Sequence, residues 1–434
     1  MHMKNSSIDP DHYSAVVKAF KYIVFSFPIL LLTAKGGMSA SFFLMVALSA
    51  FVLYQAGWGA VKIEFDRDAK LFSFAMGATF LSILMSQTSN GEWGARHFDS
   101  ASRLLLAIPV FLVLRNIEPK VIGVLQYGLP LGALVIGASV WMSGQQMIAQ
   151  TYFLIHIHLG DLALMLGFLS VCSINWTQKD SAQLVALKLL GLLAGLYVSL
   201  VSGARGGWAA IPVFLLLWVA FTATSAKALA IRLVLLMVVM LGGMLMLYSV
   251  VDVVQIRLDA AIHDLSTTSK DTSLGIRFQL WGAAIQLFLD NPIFGTGVNG
   301  FRLAMDNMAD AGMITREAAE NGRGEVHSYY FAVLARQGIV GVLSIILLFG
   351  IPFIQFVNAM KSPDAYRRGA GRMGLALVSG FAVYCLTVEM FNLKMVATFY
   401  AATIAVLLAA VGNRRANQST TINQQQGITR YIGQ

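Results

Sequence analysis

The chain has 434 residues, of which 57% are hydrophobic and only 12% charged, against about 25% charged in soluble domains. That deficit excludes a globule bathed in water on every side. The formal charge of +9 does not point to nucleic acid, because the basic residues sort by loop and do not gather into one stripe.

Apolar runs recur from end to end, most of them long enough to cross roughly 30 Å of hydrocarbon as helices. Helices are the expected spanning element because they satisfy their own backbone hydrogen bonds, and the alternating strands of a barrel are not seen. The sequence therefore predicts an all-α polytopic membrane protein. Twelve spans follow in chain order: 20–34, 39–57, 70–87, 102–116, 121–143, 152–174, 182–201, 208–223, 230–250, 339–358, 372–391 and 396–411. The opening "MHMKNSS" reads as an expression remnant. The first apolar run follows Lys18 and Lys21 without a small-residue cleavage site and reads as a retained span.

With the N-terminus placed in the cytoplasm, nineteen Lys and Arg fall on inner loops and termini, five on short outer loops and seven in one long outer loop. That asymmetry places both termini inside. The organisation expected is nine spans in 1–250, one large outer segment with helices in 251–338, three spans in 339–411, and a polar, disordered cytoplasmic tail in 412–434.

Arg96 and His97, in "GARHFDS", precede the fourth span on the outer side. His156, His158 and Asp161, in "IHIHLGD", open the sixth; only the last two share a helical face and no third ligand is in reach, so no metal site is expected. Cys172 and Cys385 fall in spans and read as small core residues. Lys188 can snorkel from the seventh span to the cytoplasm. Arg205 sits among three glycines in "SGARGGW", between two apolar runs. A charge there is costly unless it meets water, a counter-ion or an anionic substrate, and the glycines suit close backbone approach to a ligand.

In the long outer segment, Ile276, Leu280, Ala283, Ala284, Leu287 and Phe288 form a stripe at helical spacing, with Ser273 as the cap and Pro292 as the stop. Arg277 and, one turn on, Trp281 lie on this helix, facing either solvent or an interfacial, sugar-facing surface. "IFGTGVNGF" reads as a glycine-punctuated turn; it lacks the lysine and preceding strand of a phosphate-binding loop. "VHSYYFAVLARQG" opens a second helix, with Tyr330, Phe331 and Leu334 on one side and His327 at its start. Asp252, Asp259, Asp264 and Asp271 read as a solvated face. Glu389, near the outer end of the eleventh span, reads as a partner for some nearby arginine, and Lys394 follows in the next outer turn. Nearly every ionisable group in the membrane thus falls in the outer third, and no internal repeat is visible.

Four stretches, "SGARGGW", the R-x-x-x-W within "GIRFQLWGAAIQLF", "NPIFGTGVNGF" and "HSYYFAVLARQGIVG", together resemble the O-antigen ligase family, part of a larger group of bacterial polysaccharide ligases and polymerases. The resemblance implies transfer of a glycan from undecaprenyl pyrophosphate to lipid A-core on the periplasmic face of the inner membrane. It also implies functional roles for Arg205, Arg277 and His327. Arg96 and Trp281 join them as substrate-binding candidates on position alone. The implied chemistry has two guanidinium forks holding the diphosphate and His327 taking the acceptor proton. It inverts the anomeric carbon and uses no cofactor. With no D-x-D pair on the outer face, no metal is expected. An O-antigen polymerase shares this donor chemistry. A lipid-linked oligosaccharide transporter is the alternative of another class, and repeated halves with midplane sites would mark it.

Overall fold

The computed structural model describes residues 10–55, 65–145, 148–222, 225–266 and 270–412. The opening "MHMKNSS" and the tail from 413 onward lie outside the described residues, as do the expectations that fell on them. The described residues form helices and turns, with no strand among them.

The first nine long helices are α1 (Pro10–Thr33), α2 (Gly37–Gln55), α3 (Arg67–Asn90), α4 (Asp99–Leu114), α5 (Leu125–Met142), α6 (His156–Cys172), α7 (Ala182–Ser202), α8 (Ala210–Thr222) and α9 (Ala226–Val250). Four further helices follow: α10 (Asp252–Ser266), α11 (Ser273–Asp290), α12 (Gly297–Asp310) and α13 (Arg316–Gly324). The last three are α14 (Tyr329–Met360), α15 (Ala365–Tyr384) and α16 (Lys394–Val411). The twelve expected spans thus map in order onto α1 to α9 and α14 to α16. Counted with the short helices that run into α4, α5 and α8, so that those spans are Ala95–Leu114, Pro119–Met142 and Arg205–Thr222, ten of these are long and apolar enough to cross a membrane. The other two are α6, with 17 residues, and α15, whose first turns carry Arg367, Arg368 and Arg372. The chain is an all-α polytopic membrane protein.

Caps fix several ends. Asp66 accepts from the Ala69 amide at the start of α3, and left-handed Gly91 ends it. At α11 the capping side chain is that of Thr272, which accepts from Gly275 N, so Ser273 is the first helical residue and not the cap. α16 is the buried axis of the bundle, with Phe399, Tyr400 and Leu407 inaccessible. Phe381, Phe391 and Tyr400 cluster there, with ring centroids 4.9 Å and 5.3 Å from Tyr400. α9 is the opposite case: its span window buries no residue, which suits a helix whose whole surface meets lipid.

α11, α12, α13 and the first turns of α14 enclose a small core of their own, built on Leu280, Ala284, Phe301, Met305 and Ala335. Within α14, Gly338 has a non-helical backbone (φ 62°, ψ −152°), so that two helices meet there across a kink. The loop 291–296 fills that kink. Thr296 N donates to Ala335 O at 2.9 Å and Ile339 N to Pro292 O at 2.8 Å, restoring backbone pairs that the kink breaks. A Cβ on Gly338 would lie 2.5 Å from Ile293 O, so only glycine permits this crossing. The "IFGTGVNGF" turn ends at Thr296, because Gly297 onward is α12. Its first amides are occupied: Gly300 N and Asn299 N donate to the two Glu92 oxygens at 3.0 Å and 3.2 Å.

Lys188 does not snorkel. It is fully buried, and its ammonium donates to Asp180 Oδ2 at 2.7 Å, Gln126 Oε1 at 2.9 Å and Ser173 O at 2.8 Å. Three protein acceptors satisfy its three protons without water.

Candidate active site

The site forms where α7 ends, α15 ends and α14 begins. Gly203 (φ 67°) closes α7, and Arg205 opens a four-residue helix, Arg205–Trp208. The two following glycines are packing devices. A Cβ on Gly206 would lie 2.2 Å from Thr387 Oγ1, and one on Gly207 2.0 Å from Asp161 Oδ1. The space beside these two glycines is therefore taken by α6 and by the turn after α15.

Arg277 stands in the second turn of α11, half-buried. Burial pulls its guanidinium below the ordinary value; the Glu325 carboxylate opposes this, and the Arg205 charge adds to it. His327 also lies below its ordinary value of 6.5, through burial first and the Arg277 charge second, with Glu389 opposing. Arg205, Arg277 and His327 are thus electrostatic neighbours in sequence: the first acts on the second and the second on the third. These three residues, far apart in the chain, are brought together.

His327 has a left-handed backbone (φ 57°), an uncommon state for a residue with a side chain. Hydrogen bonds on either side of it hold that state. Val326 N donates to Glu389 Oε1 at 2.6 Å, and Tyr329 N to Cys385 O at 2.8 Å. The imidazole is about a quarter exposed, at 24%, and its Nδ1 stands 4.0 Å from Glu325 Oε2. That nitrogen is buried without a hydrogen-bond partner.

Glu389 organises the strap. It is 2% exposed, and the Arg336 fork donates to both its oxygens, at 2.7 Å and 3.2 Å. Its own amide donates to Glu325 Oε1 at 2.8 Å. Arg336 rests 4.9 Å above the Phe301 ring, tying the pair to the small core. Glu325 is held above its ordinary value chiefly by burial, with the Glu389 charge adding to it and the Glu389 amide, Arg277 and Arg336 opposing.

Asp161 lies beneath Gly207, fully buried, with neither oxygen hydrogen-bonded. The segment 384–389 is thus the hub: Thr387 underlies the Arg205 turn, while Cys385 O and Glu389 carry the His327 strap. Sequence reading missed this hub. Its one available signal was Glu389, a carboxylate beside an apolar run that had to find a cation.

The other candidates lie apart. Trp281 stacks on Phe331 with centroids 5.1 Å apart at 17°, and Phe278 meets it edge-on. One indole face therefore locks α11 to α14. Arg96 lies on the far side of the Arg336–Glu389 pair, in a cavity of about 250 Å³ whose lining includes neither Arg205, Arg277 nor His327. His158 is buried, with Nδ1 unpartnered. Among the described residues no three His, Cys, Asp or Glu are grouped to hold a metal ion. Cys172 and Cys385 are free and buried.

Residues 190–346 match the family model described as O-antigen ligase. Over this segment the chain is similar to the O-antigen ligase family. The match supports ligase- or polymerase-type glycan transfer in general terms, and the matched segment contains Arg205, Arg277 and His327, while Asp161 and Glu389 lie outside it. A Haemophilus influenzae protein described as uncharacterized is 27% identical over 311 residues, covering 69% of this chain and 76% of that protein.

Proposed function

We propose that this protein transfers a glycan from undecaprenyl pyrophosphate to lipid A-core on the periplasmic face of the inner membrane. The observation that carries this reading is the close grouping of two guanidiniums with an imidazole whose proton affinity is lowered. Loop charges support the orientation, with both termini cytoplasmic.

In this reading Arg205 and Arg277 hold the diphosphate of the donor. As the anomeric carbon–oxygen bond breaks, its electron pair goes to the phosphate oxygen, and forked charge-assisted hydrogen bonds meet the charge where it develops. The two fixed cations fill the role that a divalent metal has in many transferases, so the reaction is metal-independent. His327, kept neutral by burial and by Arg277, accepts the proton of the acceptor hydroxyl as the new carbon–oxygen bond forms. A single displacement inverts the anomeric carbon. Trp281 and Arg96 contribute to substrate binding from either flank.

The test is His327→Ala. Transfer measured with purified donor and lipid A-core is expected to fall roughly 10²–10⁴-fold while insertion and yield persist. Near-normal transfer would remove His327 from the mechanism, and a retained anomeric configuration in the wild-type product would end the single-displacement scheme. Chain extension without core attachment would favour a polymerase.

A further inference from the structure

The cavity beside the Arg336–Glu389 pair is lined by five cations, Arg96, Arg302, Arg323, Arg336 and Lys394, against two carboxylates, Asp99 and Glu389. Both carboxylates are already used: Lys394 pairs with Asp99, and Arg336 with Glu389. Arg323 lies 3.3 Å from Asp306. Arg96 and Arg302 have no ion pair among the described residues, so the cavity holds uncompensated positive charge. Charge of this kind in a concave site selects an anion, and guanidinium forks suit phosphate above other anions.

The walls say more about the occupant. The extramembrane side is made by α12 and α13, through Arg302, Arg323 and Gly324; the floor is made by apolar residues of membrane-spanning helices, Ile83 of α3 and Leu104 of α4. A ligand here has its anionic group at the membrane boundary and apolar surface behind it. The volume, about 250 Å³, is below the roughly 300–1,000 Å³ of a pocket for a whole drug-sized ligand. That space suits one phosphorylated sugar of a larger ligand.

We propose that this cavity is a second anion site, separate from Arg205 and Arg277, that seats a phosphate of a membrane-bound phosphorylated glycolipid acceptor. The role as acceptor rests on the transfer reaction proposed above; the binding does not. Glu389 links the two sites. It lines the cavity on one side and, through Val326 N, fixes the strap of His327 on the other. A sugar anchored by its phosphate against Arg96 and Arg302 therefore abuts the wall behind which the base stands.

The test compares wild type with the double variant Arg96→Gln, Arg302→Gln in phosphatidylcholine nanodiscs, with lipid A-core and its chemically dephosphorylated form as probes. Binding is read by native mass spectrometry. Wild type is expected to prefer the phosphorylated probe by about tenfold or more, and the variant to lose that preference. A preference that survives the double substitution overturns the site. So does a loss of donor binding as large as the loss of acceptor binding, which would assign the cavity to the donor diphosphate. Phosphatidylglycerol competing as well as the glycolipid would assign it to bulk lipid headgroups and likewise overturn the proposal. Discriminating binding without any transfer to the bound glycolipid leaves the site standing and defeats the transfer reading instead.

Discussion

Two buried ion pairs brace two left-handed residues, and they do different things. In the loop between α6 and α7, Asp180 pairs with Lys188 and its Oδ2 accepts from the amide of Asn175, whose φ is 54°. Asn175 tolerates that backbone well, and its own side chain is used locally, accepting from Asp180 N at 2.8 Å. Before α14, Glu389 pairs with Arg336 and accepts from the amide beside His327, whose φ is 57°. Here the imidazole Nδ1 receives no partner, and the ring is left beside Arg277. The first pair closes a turn on itself. The second imposes an uncommon backbone and leaves the side chain available, which is the pattern expected where strain is kept for function.

The comparison can be broken from either end. Glu389→Ala leaves Arg336 buried without its counter-charge, and Lys188→Met does the same to Asp180; each is expected to cost about 3–5 kcal/mol, read as a fall in thermal midpoint in detergent. Their activities should part company. Per folded molecule, Lys188→Met keeps its turnover, whereas Glu389→Gln, which retains an acceptor for Val326 N, loses turnover through the weakened pair. Equal turnover in the two variants would show that the strap needs no charged anchor.

A smaller effect is expected on the Arg205 side. Gly207→Ala places a methyl against Asp161 and must shift the turn. A displacement near 1 Å is expected to lower turnover by roughly 10², and Asp161→Gly in the same chain should return part of it. A Gly207→Ala enzyme with full activity would make the turn's position irrelevant. Lysine at 205 or 277 should rescue an alanine variant poorly, because it lacks the fork.

The smallest effect is a pH shift. Because the folded His327 lies below 6.5, its neutral form persists as pH falls past 6.5 and is lost only below that. The acid limb of kcat/KM should therefore fall beneath 6.5. Arg277→Gln removes a positive neighbour, so the limb should move up toward 6.5 in the activity that remains; no movement would place Arg277 away from the base.

Hydropathy and a handful of arginines, read along the chain, were enough for the helical class and the order of the twelve long helices, since the need to bury backbone polar groups in lipid acts on each segment separately. The motifs around Arg205, Arg277 and His327 were legible too, because each is local. What packing alone decided is which groups meet. Glu389 finds Arg336 across 53 residues, and Asp161 meets Gly207 because α6 supports the turn after α7. Nor did the sequence tell that Gly206 and Gly207 make room for Thr387 and Asp161. The break at Gly338 is held by the 291–296 loop, which supplies the hydrogen bonds that the two flanking helices cannot make across it. Such pairings depend on distances between helices fixed by side-chain volume and shape, a three-dimensional property that periodicity along one segment does not encode.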